Sequence, residues 1–262
     1  MLIRITNRCS MGCKHCMVDA SGPDGEHMTM ETFKAAVEFA KSVAAKVILL
    51  TGGEPFEHPE LGEMAAHLRR LDKFHVYHQA TIVTSNGTFI DDPEKVKLAH
   101  WLGLPIQVTN DSRYYPKILD RSKFRDIPDL SFESTLRVIF PCRRTKENRI
   151  KPTRVSPMCF NLRSTTRSLG GLPGGLRQIE MLGKHCSPAI NVDGTIVAGE
   201  ADTCHPIGSV HDDVLTIERN LKTMKCNRCG LNANLSPLHL KAIGETDAQE
   251  EEECREHSSP AR

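Results

Sequence analysis

Three cysteines near the amino terminus have a spacing that suits an iron–sulfur cluster. Cys9, Cys13 and Cys16 form a C-x3-C-x2-C pattern. Three thiolates leave one iron of a [4Fe–4S] cluster without a protein ligand, and such an iron can bind and activate a small molecule. Structural zinc is the alternative, but a tetrahedral zinc site takes four ligands, and no second cysteine pair lies within loop distance. The pattern therefore predicts a cluster with one open coordination position.

A glycine-rich acidic segment follows the next apolar run. Val47–Thr51 is a predicted strand that leads directly into Gly52, Gly53, Glu54 and Pro55. Two glycines let a backbone approach a ligand closely, and a carboxylate can accept hydrogen bonds from an ammonium group. An ordinary turn after a strand is the alternative. The cysteine triplet upstream, with a helix pattern in between, favours a ligand site.

Strands and helices alternate along the first half of the chain, which predicts a parallel sheet with helical crossovers. Helices are predicted after Thr29, over residues 61–71, and from Asp92–Pro93 onward. The predicted strands are Leu2–Thr6, Val47–Thr51, a strand ending at Thr84–Gly87, Pro105–Thr109 and Leu136–Phe140. Parallel strands of this kind end at one rim, so the groups that follow them are expected to meet there.

The carboxyl-terminal third departs from this alternation and carries a second set of cysteines. Cys186 precedes a predicted hairpin, whose Asp193–Gly194 pair favours a type I′ turn, and Cys204 follows it. Cys226 and Cys229 form a C-x2-C pair beyond a helical stretch. Four thiolates around one small motif can hold an iron–sulfur cluster or structural zinc, since both metals accept four cysteines.

The amino-terminal motifs resemble those of the radical S-adenosylmethionine (SAM) superfamily, in which the cysteine triplet follows the first barrel strand. The resemblance implies an α/β fold with a partial (β/α)6 barrel, a [4Fe–4S] cluster held by the triplet, and SAM bound at its open iron. Reductive cleavage of SAM would give a 5′-deoxyadenosyl radical that removes hydrogen from a substrate. The implied SAM-binding residues are Gly52, Gly53, Glu54 and Pro55 for the amino group, Ser85 and Asn86 for the ribose, and His15 for adenine. A plain Asn-Gly turn and a solvated loop histidine are the alternatives for the last two.

The later cysteines resemble the auxiliary-cluster "twitch" or SPASM-like domain of some superfamily members. The resemblance implies a second [4Fe–4S] cluster on Cys186, Cys204, Cys226 and Cys229, with zinc as the alternative. It also implies a barrel over residues 1–183, an auxiliary domain with a β-hairpin over 184–243, and a disordered polar tail over 244–262. This plan is similar to that of radical SAM dehydrogenases of aminocyclitol biosynthesis. We therefore expect a two-electron oxidation in which the second cluster accepts an electron.

A basic segment between the two cysteine sets offers candidate substrate contacts. The candidates are Arg137, Cys142, Arg143 and Arg144. The arginines could hold phosphate, carboxylate or a nucleotide, whereas the Cys142 thiol could donate a hydrogen atom, hold substrate or bind a cluster. A solvated basic loop and a buried inert cysteine are the alternatives. The substrate itself is not fixed by these residues.

Two other functions stay open. One is a peptide-modifying enzyme that forms thioether or carbon–carbon crosslinks. It is disfavoured because Leu2–Thr6 already forms a predicted strand, so no leader-binding domain is expected before it. The other is a non-enzymatic iron–sulfur redox sensor. Glu54 and its glycines are evidence against the sensor, because a sensor needs no SAM site.

Composition favours a reducing compartment. The chain has 262 residues, 10 cysteines and a net charge of +1, with no signal peptide and no apolar run long enough to span a bilayer. We expect a cytoplasmic enzyme without membrane association or general nucleic-acid binding, since the latter needs a basic excess. The expected partners are a small-molecule or peptide substrate and an external one-electron reductant such as flavodoxin or ferredoxin.

Overall fold

A mixed sheet forms the centre of the fold. The computed structural model describes residues 1–20, 22–43, 45, 47–73, 80–135, 142–151, 188–199 and 204–223. The strands within these ranges are β1 (Leu2–Thr6), β2 (Val47–Gly52), β3 (Ala80–Ser85), β4 (Ile106–Thr109), β5 (Leu130–Glu133), β6 (Ala189–Ile190), β7 (Thr195–Val197) and β8 (Pro206–Ser209). Their order across the sheet is β5-β4-β3-β2-β1-β6-β7-β8.

The first five strands pair in parallel with their neighbours. Strand β6 also runs parallel to β1, whereas β7 and β8 are antiparallel additions. Strands β5 and β8 are the two edges, so the sheet formed by the described strands is open. The predicted α/β class with a parallel sheet is confirmed.

Five helices accompany the strands in the described part of the chain. They are α1 (Met30–Ser42), α2 (Leu61–Lys73), α3 (Pro93–Trp101), α4 (Arg143–Glu147) and α5 (Val214–Thr223). Helix α1 begins after Thr29, whose hydroxyl accepts a hydrogen bond from the Thr32 backbone N–H at 3.1 Å. Helix α3 begins after Asp92, which accepts from the backbone N–H groups of Glu94 and Lys95. Both helices begin where the sequence predicted. Each capping side chain accepts hydrogen bonds from backbone donors that lack an intrahelical partner. Among the described helices, none is both long and apolar enough to cross a membrane.

Alternate residues of the central strands face the helices and form the main core. Ile3 and Ile5 of β1 and Leu50 of β2 lie in one buried cluster with Phe33 and Val37 of α1. Burying each such side chain contributes about 2 kcal/mol, which holds β1 and β2 firmly in place. The ends of these two strands therefore provide a rigid base for the loops that carry chemistry.

The structure has a strand that the sequence did not predict. Strand β5 is Leu130–Glu133 and pairs with β4 from Ile106 to Thr109. The predicted strand Leu136–Phe140 lies outside the described residues. The segment 130–133 escaped prediction because it has only four residues and none of them is fully buried, so its apolar pattern is weak.

The hairpin of β6 and β7 is present, but its turn is not of type I′. Gly194 has a φ of 83°, whereas Asp193 is not among the residues with positive φ. The Gly194 N–H donates to the Asn191 carbonyl at 2.9 Å, which closes a turn with Val192 and Asp193 at its centre. A type I turn followed by a left-handed glycine fits these observations, since type I′ needs positive φ at both central residues.

The hairpin and β8 continue the main sheet, because β6 pairs with β1. The ranges 152–187 and 224–262 lie outside the described residues. The predicted limits of the barrel, the auxiliary domain and the tail therefore stay predictions.

Candidate active site

The loop that follows β1 carries three half-buried thiols at the carboxyl end of the parallel strands. Burial raises the pKa of Cys9 to about 11 and raises the pKa of Cys13 further. Repulsion from the neighbouring thiolates raises both pKa values as well. Cys9 and Cys13 therefore ionise poorly by themselves, and a bound cation would stabilise their thiolates. This donor set fits an iron–sulfur cluster.

Glu57 holds the start of this loop, which we call the cluster loop (residues 7–20). Its carboxylate accepts hydrogen bonds from the Ser10 backbone N–H at 3.0 Å and from the Ser10 hydroxyl at 2.8 Å. The second carboxylate oxygen lies 3.4 Å from Nε of Arg8. Glu57 belongs to the short helical turn Pro55–Glu57 after β2, so the two rim segments are joined directly.

Arg144 of α4 holds the other half of the cluster loop. Its guanidinium donates to the Asp19 carboxylate at 2.6 Å, to the Cys13 carbonyl at 3.2 Å and to the Ala20 carbonyl at 2.9 Å. Asn148 adds a hydrogen bond to the Lys14 carbonyl at 3.2 Å. The loop is therefore ordered by contacts to neighbouring elements, which reduces the entropy cost of binding a cofactor.

The candidate substrate residues in this region contact the protein itself. Cys142 is fully buried, with its sulfur 3.3 Å from the Cys16 carbonyl oxygen, while Arg143 forms an ion pair with Asp19. Arg144 is occupied as described above, and Arg137 lies outside the described residues. A role for these four in substrate binding stays a prediction.

The two glycines after β2 fit closely against the cluster loop. The Gly53 N–H donates to the Thr6 carbonyl at 2.6 Å, and the Glu54 N–H donates to the Arg8 carbonyl at 2.8 Å. A Cβ at Gly52 would overlap the Thr6 carbonyl oxygen, and a Cβ at Gly53 would overlap that of Arg8. Backbone contact within the protein is therefore a sufficient reason for both glycines, and their predicted role in the approach of a ligand stays a prediction.

The Glu54 carboxylate joins the ends of β2 and β3. One oxygen accepts from the Ser85 hydroxyl at 2.8 Å and from the Phe56 N–H at 3.2 Å, and the other accepts from the Asn86 N–H at 2.7 Å. The side chain is fully buried, and burial raises its pKa to about 7 even though these bonds oppose the shift. Since a carboxylate offers about four acceptor positions, one remains for a further donor. Its predicted contact with the amino group of SAM stays a prediction.

Asn86 brings the end of β3 to the cluster loop. Its side-chain nitrogen lies 3.4 Å from the Cys9 sulfur, and its side-chain oxygen accepts from the N–H and hydroxyl of Thr88. Asn86 was expected from the sequence beside the SAM ribose, and its contact with Cys9 was not predicted. The ribose contact stays a prediction.

His15 lies in an aromatic group that the sequence analysis missed. Its ring centroid is 5.3 Å from that of Tyr114 and 5.1 Å from that of Tyr115. Burial lowers the pKa of His15 to about 4, so the imidazole is neutral at pH 7. A neutral ring beside two tyrosines suits a flat aromatic ligand, and the adjacent tyrosines after β4 were the available signal. Contact with adenine stays a prediction.

The second cysteine set is described only at Cys204. Cys204 packs against a small cluster of Leu2, Ala189 and Val197, and so does Met17, which follows the last cysteine of the triplet. Cys186, Cys226 and Cys229 lie outside the described residues.

Comparison with known proteins identifies the class. Residues 3–139 match the model of the radical SAM superfamily, and the chain therefore belongs to this superfamily. Membership implies a [4Fe–4S] cluster and SAM as cofactors. These are the groups that the cysteine triplet and its neighbouring loops fit.

Among curated proteins, the chain is similar to Fe-coproporphyrin III synthase of Methanosarcina barkeri, with 30% identity over 146 residues. The match covers 53% of this chain and 32% of that protein. GTP 3′,8-cyclase of Syntrophomonas wolfei is 30% identical over 106 residues, which cover 38% of this chain and 30% of the cyclase. The chain thus matches about a third of the length of these relatives.

Among solved structures, the chain is similar to anSMEcpe with bound AdoMet and the Cp18Cys peptide. The TM-score is 0.51 at 14% identity, over 97% of this chain and 86% of that one. This similarity concerns the fold.

Proposed function

We propose that this radical SAM protein cleaves SAM reductively and oxidises its substrate by two electrons, with a second cluster as the electron acceptor. The observation that supports the first part most strongly is the convergence of three rim segments. Glu54 joins the end of β2 to the end of β3, and Asn86 at the end of β3 contacts Cys9 of the cluster loop. Segments after three neighbouring strands thus form one connected site.

Each segment has a distinct task in this proposal. Cys9, Cys13 and Cys16 would hold the cluster, which when reduced supplies the electron that splits SAM into methionine and a 5′-deoxyadenosyl radical. Glu54 would orient the amino group, and His15 would lie against the adenine ring. The protein contributes position and the exclusion of water, because the cofactor carries the difficult chemistry.

The proposed oxidation removes one hydrogen atom, one electron and one proton from the substrate. A substrate C–H hydrogen atom would pass to the deoxyadenosyl carbon. A second cluster, which Cys186, Cys204, Cys226 and Cys229 would hold, would then accept one electron, and one proton would go to a base or solvent. Support for the acceptor comes from Cys204, a half-buried cysteine that packs on the same small cluster as Met17. Electron transfer suits a cluster with four thiolate ligands, because such a cluster has no open iron.

Anaerobic reconstitution followed by mass analysis tests the catalytic cluster. With SAM and a reductant, the wild-type protein is expected to form 5′-deoxyadenosine, and Cys9→Ala, Cys13→Ala and Cys16→Ala are each expected to lose it. Lys14→Ala is the matched control, since Lys14 is an exposed residue of the same loop. Full SAM cleavage by the three cysteine variants would contradict the assignment.

Metal analysis tests the second site separately. We expect about eight irons per wild-type chain and about four in Cys204→Ala, with 5′-deoxyadenosine formation retained in that variant. About four irons and one zinc in the wild-type protein would instead identify a structural zinc site and remove the proposed electron acceptor.

A further inference from the structure

The side-chain amide of Asn86 has a fixed orientation. Its oxygen lies 2.9 Å from the Thr88 backbone nitrogen and 2.8 Å from the Thr88 hydroxyl. A backbone N–H can only donate, so the atom that faces it must be the amide oxygen. The amide nitrogen therefore has to face the opposite way, toward Cys9.

The backbone of Asn86 is held just as firmly. Its N–H donates to the buried Glu54 carboxylate at 2.7 Å, and Ser85 donates to the same carboxylate and accepts from the Gly87 N–H at 2.9 Å. Both ends of the Asn86 residue are thus constrained before any cofactor binds. A donor that is preorganised in this way costs little entropy when it acts on a neighbouring charge.

The target of this donor is the sulfur of a cluster ligand. The Asn86 side-chain nitrogen lies 3.4 Å from Cys9 Sγ, and both residues are half-buried, so water competes weakly for the sulfur. We propose that Asn86 is a positioning residue that donates a hydrogen bond to the Cys9 thiolate and thereby raises the reduction potential of the catalytic cluster. The inference rests on the proposed function, since it requires the cluster to bind Cys9.

The direction of the effect follows from charge. A reduced cluster carries one more negative charge than the oxidised cluster, so an N–H donor to its thiolate stabilises the reduced state more. Loss of the donor shifts the one-electron equilibrium toward the oxidised state. We expect about a tenfold shift, which corresponds to a potential lower by about 59 mV.

Two variants separate the hydrogen bond to sulfur from the turn that Asn86 forms. Asn86→Ser keeps an acceptor for the Thr88 N–H but cannot reach Cys9, whereas Asn86→Leu removes both functions. Thr88→Ala is the matched control, because it removes one donor to the amide oxygen and leaves the backbone N–H that orients the Asn86 amide.

The reconstituted holoenzymes would be compared by redox titration monitored by electron paramagnetic resonance, without substrate. In Asn86→Ser and Asn86→Leu we expect the one-electron equilibrium to shift about tenfold toward the oxidised cluster, which lowers the potential by about 59 mV. In Thr88→Ala we expect an unchanged potential. Potentials equal to that of the wild-type protein in both Asn86 variants would overturn the inference, and so would an equal fall in Thr88→Ala. A wild-type protein that bound no [4Fe–4S] cluster would instead overturn the proposed function as well.

Discussion

Replacing Gly53 by alanine is expected to destabilise the protein even without a cofactor. The added Cβ would overlap the Arg8 carbonyl oxygen and the backbone before it, and these atoms belong to the chain rather than to a flexible side chain. Relief requires the end of β2 to move away from the cluster loop. Gly12→Ala is a matched control in the same loop, since Gly12 has a φ of 65° but nothing within 4 Å of an added Cβ.

The expected cost follows from the hydrogen bonds that would be lost. The Gly53 N–H to Thr6 carbonyl bond and the Glu54 N–H to Arg8 carbonyl bond are 2.6 and 2.8 Å long. Each contributes about 1 kcal/mol net, and a donor left buried without a partner costs somewhat more, so the total is about 3 kcal/mol. Gly12→Ala should cost only about 1 kcal/mol, the penalty of a left-handed conformation with a side chain.

Urea unfolding of the reduced apoprotein measures both variants. Gly53→Ala should lower the midpoint urea concentration about three times as much as Gly12→Ala, with an unchanged slope. If Gly53→Ala unfolded at the wild-type midpoint and only lost SAM binding, the glycine would serve ligand approach, and the explanation by contact with the cluster loop would be refuted.

The remaining predictions concern Glu54, Arg144 and a helix cap. Because burial raises the pKa of Glu54 from 4.5 to about 7, the folded state binds a proton more tightly than the unfolded state. The apoprotein should therefore lose about 3 kcal/mol of stability as pH rises between these values, and urea unfolding should show that Glu54→Gln lacks this loss. Arg144→Ala should cost about 2 kcal/mol and weaken iron retention, whereas Arg143→Ala, which removes an exposed guanidinium, should cost under about 0.5 kcal/mol in the same assay. Asp92→Ala should cost about 1 kcal/mol in thermal or urea unfolding, and no change would show that its capping bonds are dispensable.

Local signals in the sequence predicted the framework well. The apolar runs of β1 and β2, the threonine before α1 and the Asp92–Pro93 pair before α3 all lie where the structure has them. Each is determined by residues close in sequence, through side-chain periodicity or a cap. The position of the site at the strand ends followed from the same framework.

The contacts that organise the site were not predictable in the same way. Glu57 reaches Ser10, and Arg144 reaches Cys13, across long sequence separations, and no periodic pattern marks such pairs. The glycines after β2 were identified from the sequence, but their contact with the backbone of Thr6 and Arg8 was not, because that backbone segment is far away in the chain. A sequence pattern identifies a position where only glycine fits, but it does not reveal which atoms a larger side chain would overlap.

The pairing of β6 with β1 has a consequence for how the chain can be divided. Strand β1 leads into the cluster loop and is flanked by β2 on one side and by β6 on the other. A polypeptide truncated before Ala189 would turn β1 into an edge strand, with its amide and carbonyl groups open to pairing with other molecules. Expression of residues 1–188 by themselves is thus expected to favour aggregation, because β1 has a neighbouring strand on each side only after the segment that contains β6 has been synthesised.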